Sequence, residues 1–301
     1  MTIILIGTLM LLLSLGIMAA CKNNTPENAQ AGPALPYRLD APDATFDLPS
    51  ELTEISGLAM SSDGLHLLAV NDEEGIVFFL HPETGALESS RSFGKKGDYE
   101  GLEVVGNDIF VVKSNGTIVR IGETGDTTIY ATQLNEDNDV EGLGYDSTRN
   151  CLMLACKGKA GKGDPLKGKR AIYAFDLTTH RLDETPAFVI DREEIARRKG
   201  SASGFSERVR GFFSSEDEAR AFGPSGLAYS PLDGNLYVIA SVGKALAVLG
   251  RDGQIVRVEK LDPDRFRQPE GICFDHLGRL YISSEGGKHT GRIFRFSPVS
   301  R

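Results

Sequence analysis

The chain has 301 residues, 41% of them hydrophobic, with 42 acidic against 33 basic side chains and a formal net charge of −9. That length and apolar content support one large core or two small ones. The negative balance argues against nucleic acid such as duplex DNA, or an anionic lipid surface, as the main partner, because both are themselves negative.

In chain order, the first feature is an uncharged apolar run from Ile3 to Ala20 that ends in small residues and a cysteine, LGIMAAC. It reads as an export signal over residues 1–20, although its length also approaches that of a membrane span. Ala19 and Ala20 before Cys21 resemble a bacterial lipobox, with Met18 where that motif commonly carries leucine. The resemblance implies lipid on Cys21, and several acyl chains would hold the protein stably at a membrane where one chain would not. Residues 21–37, KNNTPENAQAGPALPY with its leading cysteine, offer little to bury and read as a flexible tether. The remaining domain spans residues 38–299.

That domain repeats itself. The segments EISGLAM, YEGLEVV, VEGLGYD, PSGLAYS and PEGICFD place glycines at 57, 101, 142, 226 and 271. Most of the steps fall near the forty-odd residues of a propeller blade, and one is doubled. Each unit continues with a turn (Asp63-Gly64, Gly106-Asn107, Asp233-Gly234, Leu277-Gly278), a β-rich strand such as HLLAV or NLYVIA, then third and fourth strands. Four strands per unit predict an all-β propeller of five blades, with six as the alternative if the doubled interval hides another. Residues 191–222 read instead as a mostly helical insertion, with Ser215 and Glu218 spaced as a capping box. The last unit is one strand short. Either YRLDAP or ATFDLP near the N-terminus could supply the missing strand and close the ring.

On the repeated [ES]-G-[LI], the ending PEGICFD…GRLYISSE and the N-terminal anchor, the chain resembles the SdiA-regulated (YjiK-like) family of bacterial envelope propellers. The resemblance implies an exported, membrane-tethered β-propeller in the cell envelope or periplasm and names no activity.

Propeller geometry sets the residue before each motif glycine, Ser56, Glu100, Glu141, Ser225 and Glu270, at the central channel. Carboxylates crowded there repel unless protonated or offset by a cation, and oxygen ligands without His or Cys suit Ca²⁺. The competing reading is structural, each Glu accepting backbone N–H bonds from the next blade. The same positions are similar to the metal ring of the SMP-30/gluconolactonase propellers, with Ser225 standing where those proteins present Asn and Ser56 as a second polar ligand. The loop KGKAGKGDPLKGKR adds Lys157, Lys159, Lys162, Lys167, Lys169 and Arg170 against Asp164, a candidate anion contact or a plain solvated loop. Cys151, Cys156 and Cys273 are odd in number and lack CxxC spacing, so they read as buried apolar residues. GSASG, Gly200 to Gly204, carries Ala202 where a nucleophile elbow needs serine.

Two functions follow as expectations. One is a tethered binding or scaffold module for a small molecule or an envelope protein, whose channel is structural or holds a cation. The other is a calcium-dependent hydrolase of lactones, esters or phosphoesters in which Glu100, Glu141 and Glu270 hold the metal.

Overall fold

The computed structural model describes residues 34–161, 166–201 and 221–299. A short strand β1 (Ala44–Asp47) precedes the first complete sheet, β2 to β5 (Ile55–Met60, Leu67–Asn71, Ile76–Leu80, Leu87–Ser92). The second sheet is β6 to β9 (Tyr99–Val105, Asp108–Lys113, Ile118–Ile121, Thr127–Tyr130). The third holds β10 to β14 (Val140–Asp146, Cys151–Cys156, Lys169–Asp176, Arg181–Leu182, Phe188–Asp191) and leads into helix α1 (Arg192–Ser201). The fourth is β15 to β18 (Gly223–Tyr229, Leu236–Val242, Ala245–Leu249, Ile255–Lys260), and the last is β19 to β21 (Pro269–Phe274, Leu280–Ser284, Arg292–Phe296).

All pairings are antiparallel, and they make a five-bladed β-propeller. The five innermost strands β2, β6, β10, β15 and β19 touch one another in a closed cycle. The sixth-blade alternative is therefore set aside. In the doubled interval the fourth strand of the third blade is split into β13 and β14, both paired to β12. The only α-helix among the described residues, α1, follows it and anchors Ile195 in the core between the third and fourth blades. The Ser215–Glu218 capping box and Ala202 lie outside the described residues.

Why the motif glycines recur is steric. A Cβ on Gly57 would lie 2.8 Å from the Leu102 backbone nitrogen, on Gly101 2.8 Å from that of Leu143, and on Gly226 2.4 Å from the Glu270 carbonyl oxygen. The circuit closes where a Cβ on Gly271 would stand 2.8 Å from the Leu58 nitrogen. Five blades crowd the axis so closely that each inner strand lies against the backbone of the next, and a side chain does not fit.

The core is divided accordingly into five apolar clusters, one between each pair of neighbouring blades. Alternation along β11 sends Cys151, Met153 and Ala155 into one and Leu152, Leu154 and Cys156 into another, as strand geometry requires. The three cysteines of the domain are buried free thiols.

ATFD, and not YRLDAP, completes the last blade. β1 pairs with β21 from Ala44–Arg295 to Asp47–Arg292, and Phe46 is buried beside it. Tyr37, placed in the tether by sequence, instead packs against Tyr237 and Phe274 and donates its hydroxyl to the Gly278 carbonyl at 2.7 Å. The packed chain thus begins a few residues before 38.

Candidate functional site

The residue ahead of each motif glycine enters its inner strand at the same end of the propeller, and the five divide by type. The serines join blades. Ser56 donates its hydroxyl to the Tyr99 carbonyl at 2.6 Å, and Ser225 donates to the Pro269 carbonyl at 2.6 Å while accepting the Ser241 N–H at 3.1 Å. Both hydroxyls are almost fully buried, and their acceptors are the carbonyls just before Glu100 and Glu270. The interblade staple that the sequence suggested for the glutamates is thus made by serines, with side chains donating and not accepting.

The glutamates behave differently. Glu141 pairs with Lys157, whose Nζ lies 2.6 Å from Oε1, and burial still lifts its pKa although Lys157 works against the shift. Glu100 has no such lysine among the described residues. Burial, then the negative charges of Glu141, Asp98 and Glu270, push it up to about 9. Glu270 is pushed up to about 8 by burial with Glu141 and Glu285, partly offset by Lys157 and Lys244. Glu100 and Glu270 thus each feel the negative charge of Glu141.

Sequence reasoning missed the rest of this cluster. Glu285 follows β20 and is pushed up to about 7 by burial and by Asp72 and Glu54. Asp72 follows β3; burial and Glu54 raise it, and its Oδ1 has no hydrogen-bond partner among the described residues. Both stand directly after the second strand of a blade, at the end where the inner strands begin. An acidic residue at that recurring position was the available signal. Among the described residues, no three His, Cys, Asp or Glu groups converge as metal ligands. With the serine hydroxyls directed to carbonyls and Lys157 seated on Glu141, the five residues as arranged do not fit a calcium site.

The two ends of the basic loop belong to the blade. Lys157 serves Glu141, and Arg170 donates Nε to the Phe222 carbonyl at 2.9 Å and Nη1 to that of Gly158 at 3.1 Å. Lys159 pairs with Asp137 at 2.9 Å on the surface, Lys167 is exposed, and Lys169 begins β12. Lys162 lies outside the described residues.

A family model described as SdiA-regulated matches residues 214–289. The match covers the fourth blade and the two inner strands of the fifth, β19 and β20. No curated protein matches the chain. Among solved structures, the glutaminyl cyclase of Myxococcus xanthus is similar with a TM-score of 0.53 at 12% identity, over 85% of this chain and 94% of that one. A luciferin-regenerating enzyme is similar with a TM-score of 0.50 at 12% identity, over 85% and 95% of the two chains. At such identity the likeness is one of fold.

Proposed function

We propose that this chain is a binding propeller of the bacterial envelope, held at a membrane by lipid on Cys21, whose acidic channel mouth receives a basic side chain of an envelope protein. The observation that carries this reading is the Lys157–Glu141 pair: the chain itself inserts an amine among these carboxylates, yet among the described residues Glu100 and Glu270 gain no matching ion pair. A carboxylate buried without a cation is costly, and a lysine or arginine brought by a partner would relieve that cost as Lys157 does for Glu141. Calcium is the other occupant the cluster could attract, though it would require Glu100, Glu141 and Glu270 to draw together and Lys157 to withdraw.

Calorimetric titration of the purified chain with tetralysine and, separately, with Ca²⁺ tests the reading beside a Glu100→Gln/Glu270→Gln variant. Tetralysine is expected to bind, to weaken as salt is raised, and to lose its binding in the variant. Ca²⁺ binding that raises the melting temperature and vanishes in the variant would move the assignment to a metal ring. If neither binds, the mouth is structural and this reading fails.

A further inference from the structure

Three residues along each inner strand from the channel mouth, about 10 Å at strand rise, the positions two beyond the motif glycines are Ala59, Glu103, Gly144, Ala228 and Cys273. Only one of the five is charged or large. Around this level lies a cavity of about 450 Å³ whose lining includes Glu103, Ala228 and Cys273, with Tyr145 and Phe274 as aromatic walls. Its size is that of a small-molecule site.

Glu103 is held in place by the backbone of two blades. Its Oε1 accepts the Val104 N–H at 2.8 Å and its Oε2 the Tyr145 N–H at 3.0 Å. A carboxylate offers about four acceptor positions, so about half remain for another donor. No Lys, Arg or His among the described residues forms an ion pair with it, and the cavity lining holds three acidic side chains, Asp63, Glu103 and Asp275, and no Lys or Arg. Asp275 is already paired with Arg279 and Asp63 is at the exposed rim, so Glu103 is the deep carboxylate without a counter-charge. Burial pushes it up to about 7, against the two backbone bonds that lower it.

We propose that this cavity binds a small organic cation, an ammonium group on a short apolar or aromatic body, with Glu103 as its counter-charge. The ammonium donates to the free acceptor positions of the Glu103 carboxylate. The apolar body lies against Tyr145 and Phe274, where ring faces favour a cation or its neighbouring methylene. This cavity is separate from the acidic mouth at the other end of the inner strands.

Benzylammonium and its neutral counterpart benzyl alcohol are the probes, measured on the whole chain by calorimetry and by saturation-transfer NMR. Benzylammonium is expected to bind at least about tenfold more tightly than the alcohol, the scale of one charge-assisted bond. Glu103→Gln should abolish that preference. Tyr145→Ala, which keeps the backbone N–H that anchors Glu103, should weaken both probes together. Glu100→Gln/Glu270→Gln should change neither. Failure of benzylammonium to bind at millimolar concentration, a preference that survives Glu103→Gln, or one lost in the mouth variant would each overturn the proposal.

Discussion

Glu100 and Glu270 carry their consequence in the direction of their shifts. An acid whose pKa is raised by folding holds its proton more tightly in the native chain than in the unfolded one, so native stability falls as pH rises. The contribution of these groups is complete below their ordinary value of 4.5 and is lost as pH climbs through about 8 for Glu270 and about 9 for Glu100. Urea unfolding is therefore expected to show stability declining between pH 5 and pH 9, the window these shifts define. In Glu100→Gln/Glu270→Gln the decline should be shallower; parallel slopes in parent and variant would refute the assignment. These two residues were legible in the sequence because they sit beside glycines that repeat. Glu103 was not, because its counterparts are Ala, Gly and Cys, and a residue that appears in one blade leaves no periodic trace. Nor could residue type tell that Ser56 and Ser225 would turn toward carbonyls, since a hydroxyl donates or accepts according to what the neighbouring blade presents.

Among the elements, β1 has an effect out of proportion to its length. It satisfies the outer edge of β21, and Phe46 fills the cluster between the last blade and the first, where a Cβ on Gly85 would already collide with it at 2.3 Å. Truncating this ring to Phe46→Ala should cost about 3 kcal/mol, at the low end of buried phenylalanine truncations. A steeper change is expected from Leu48→Pro, which removes the N–H that donates to the Gly291 carbonyl at 2.8 Å where β1 meets β21. The readout is the urea midpoint with the denaturant slope held in view, and an unchanged midpoint in both variants would show that closure contributes nothing. Sequence left YRLDAP and ATFDLP open as candidates because both have strand-like composition. The choice was made by partners far away in the chain: Arg292 pairs with Asp47 across 245 residues, and Tyr37 finds its pocket beside Tyr237 and Phe274. The split of the third blade's outer strand into β13 and β14 was likewise hidden, since a two-residue strand has no alternation to read.

For the molecule as a whole, the five-fold repeat was readable because the tight axis permits only glycine at one point in every blade. The site at its mouth was half readable: its carboxylates could be named, but not which amine would neutralise which acid. The tethering we propose concerns the whole chain and is testable at that scale. On expression in a bacterium with a lipoprotein-processing pathway, the chain is expected in the membrane fraction, and Cys21→Ser is expected to shift it to the soluble envelope fraction or leave an unprocessed precursor. Equal partition of the two would end the case for lipid on Cys21.

The pairing of β1 with β21 also sets an order in time. Asp47 leaves the ribosome 245 residues ahead of Arg292, a delay on the order of tens of seconds at ordinary rates of synthesis. During that interval four blades can stack, while β1 must wait without its partner. The ring therefore cannot lock until β21 is available, and a chain stalled anywhere before Phe296 would present an open blade to whatever strand it met first.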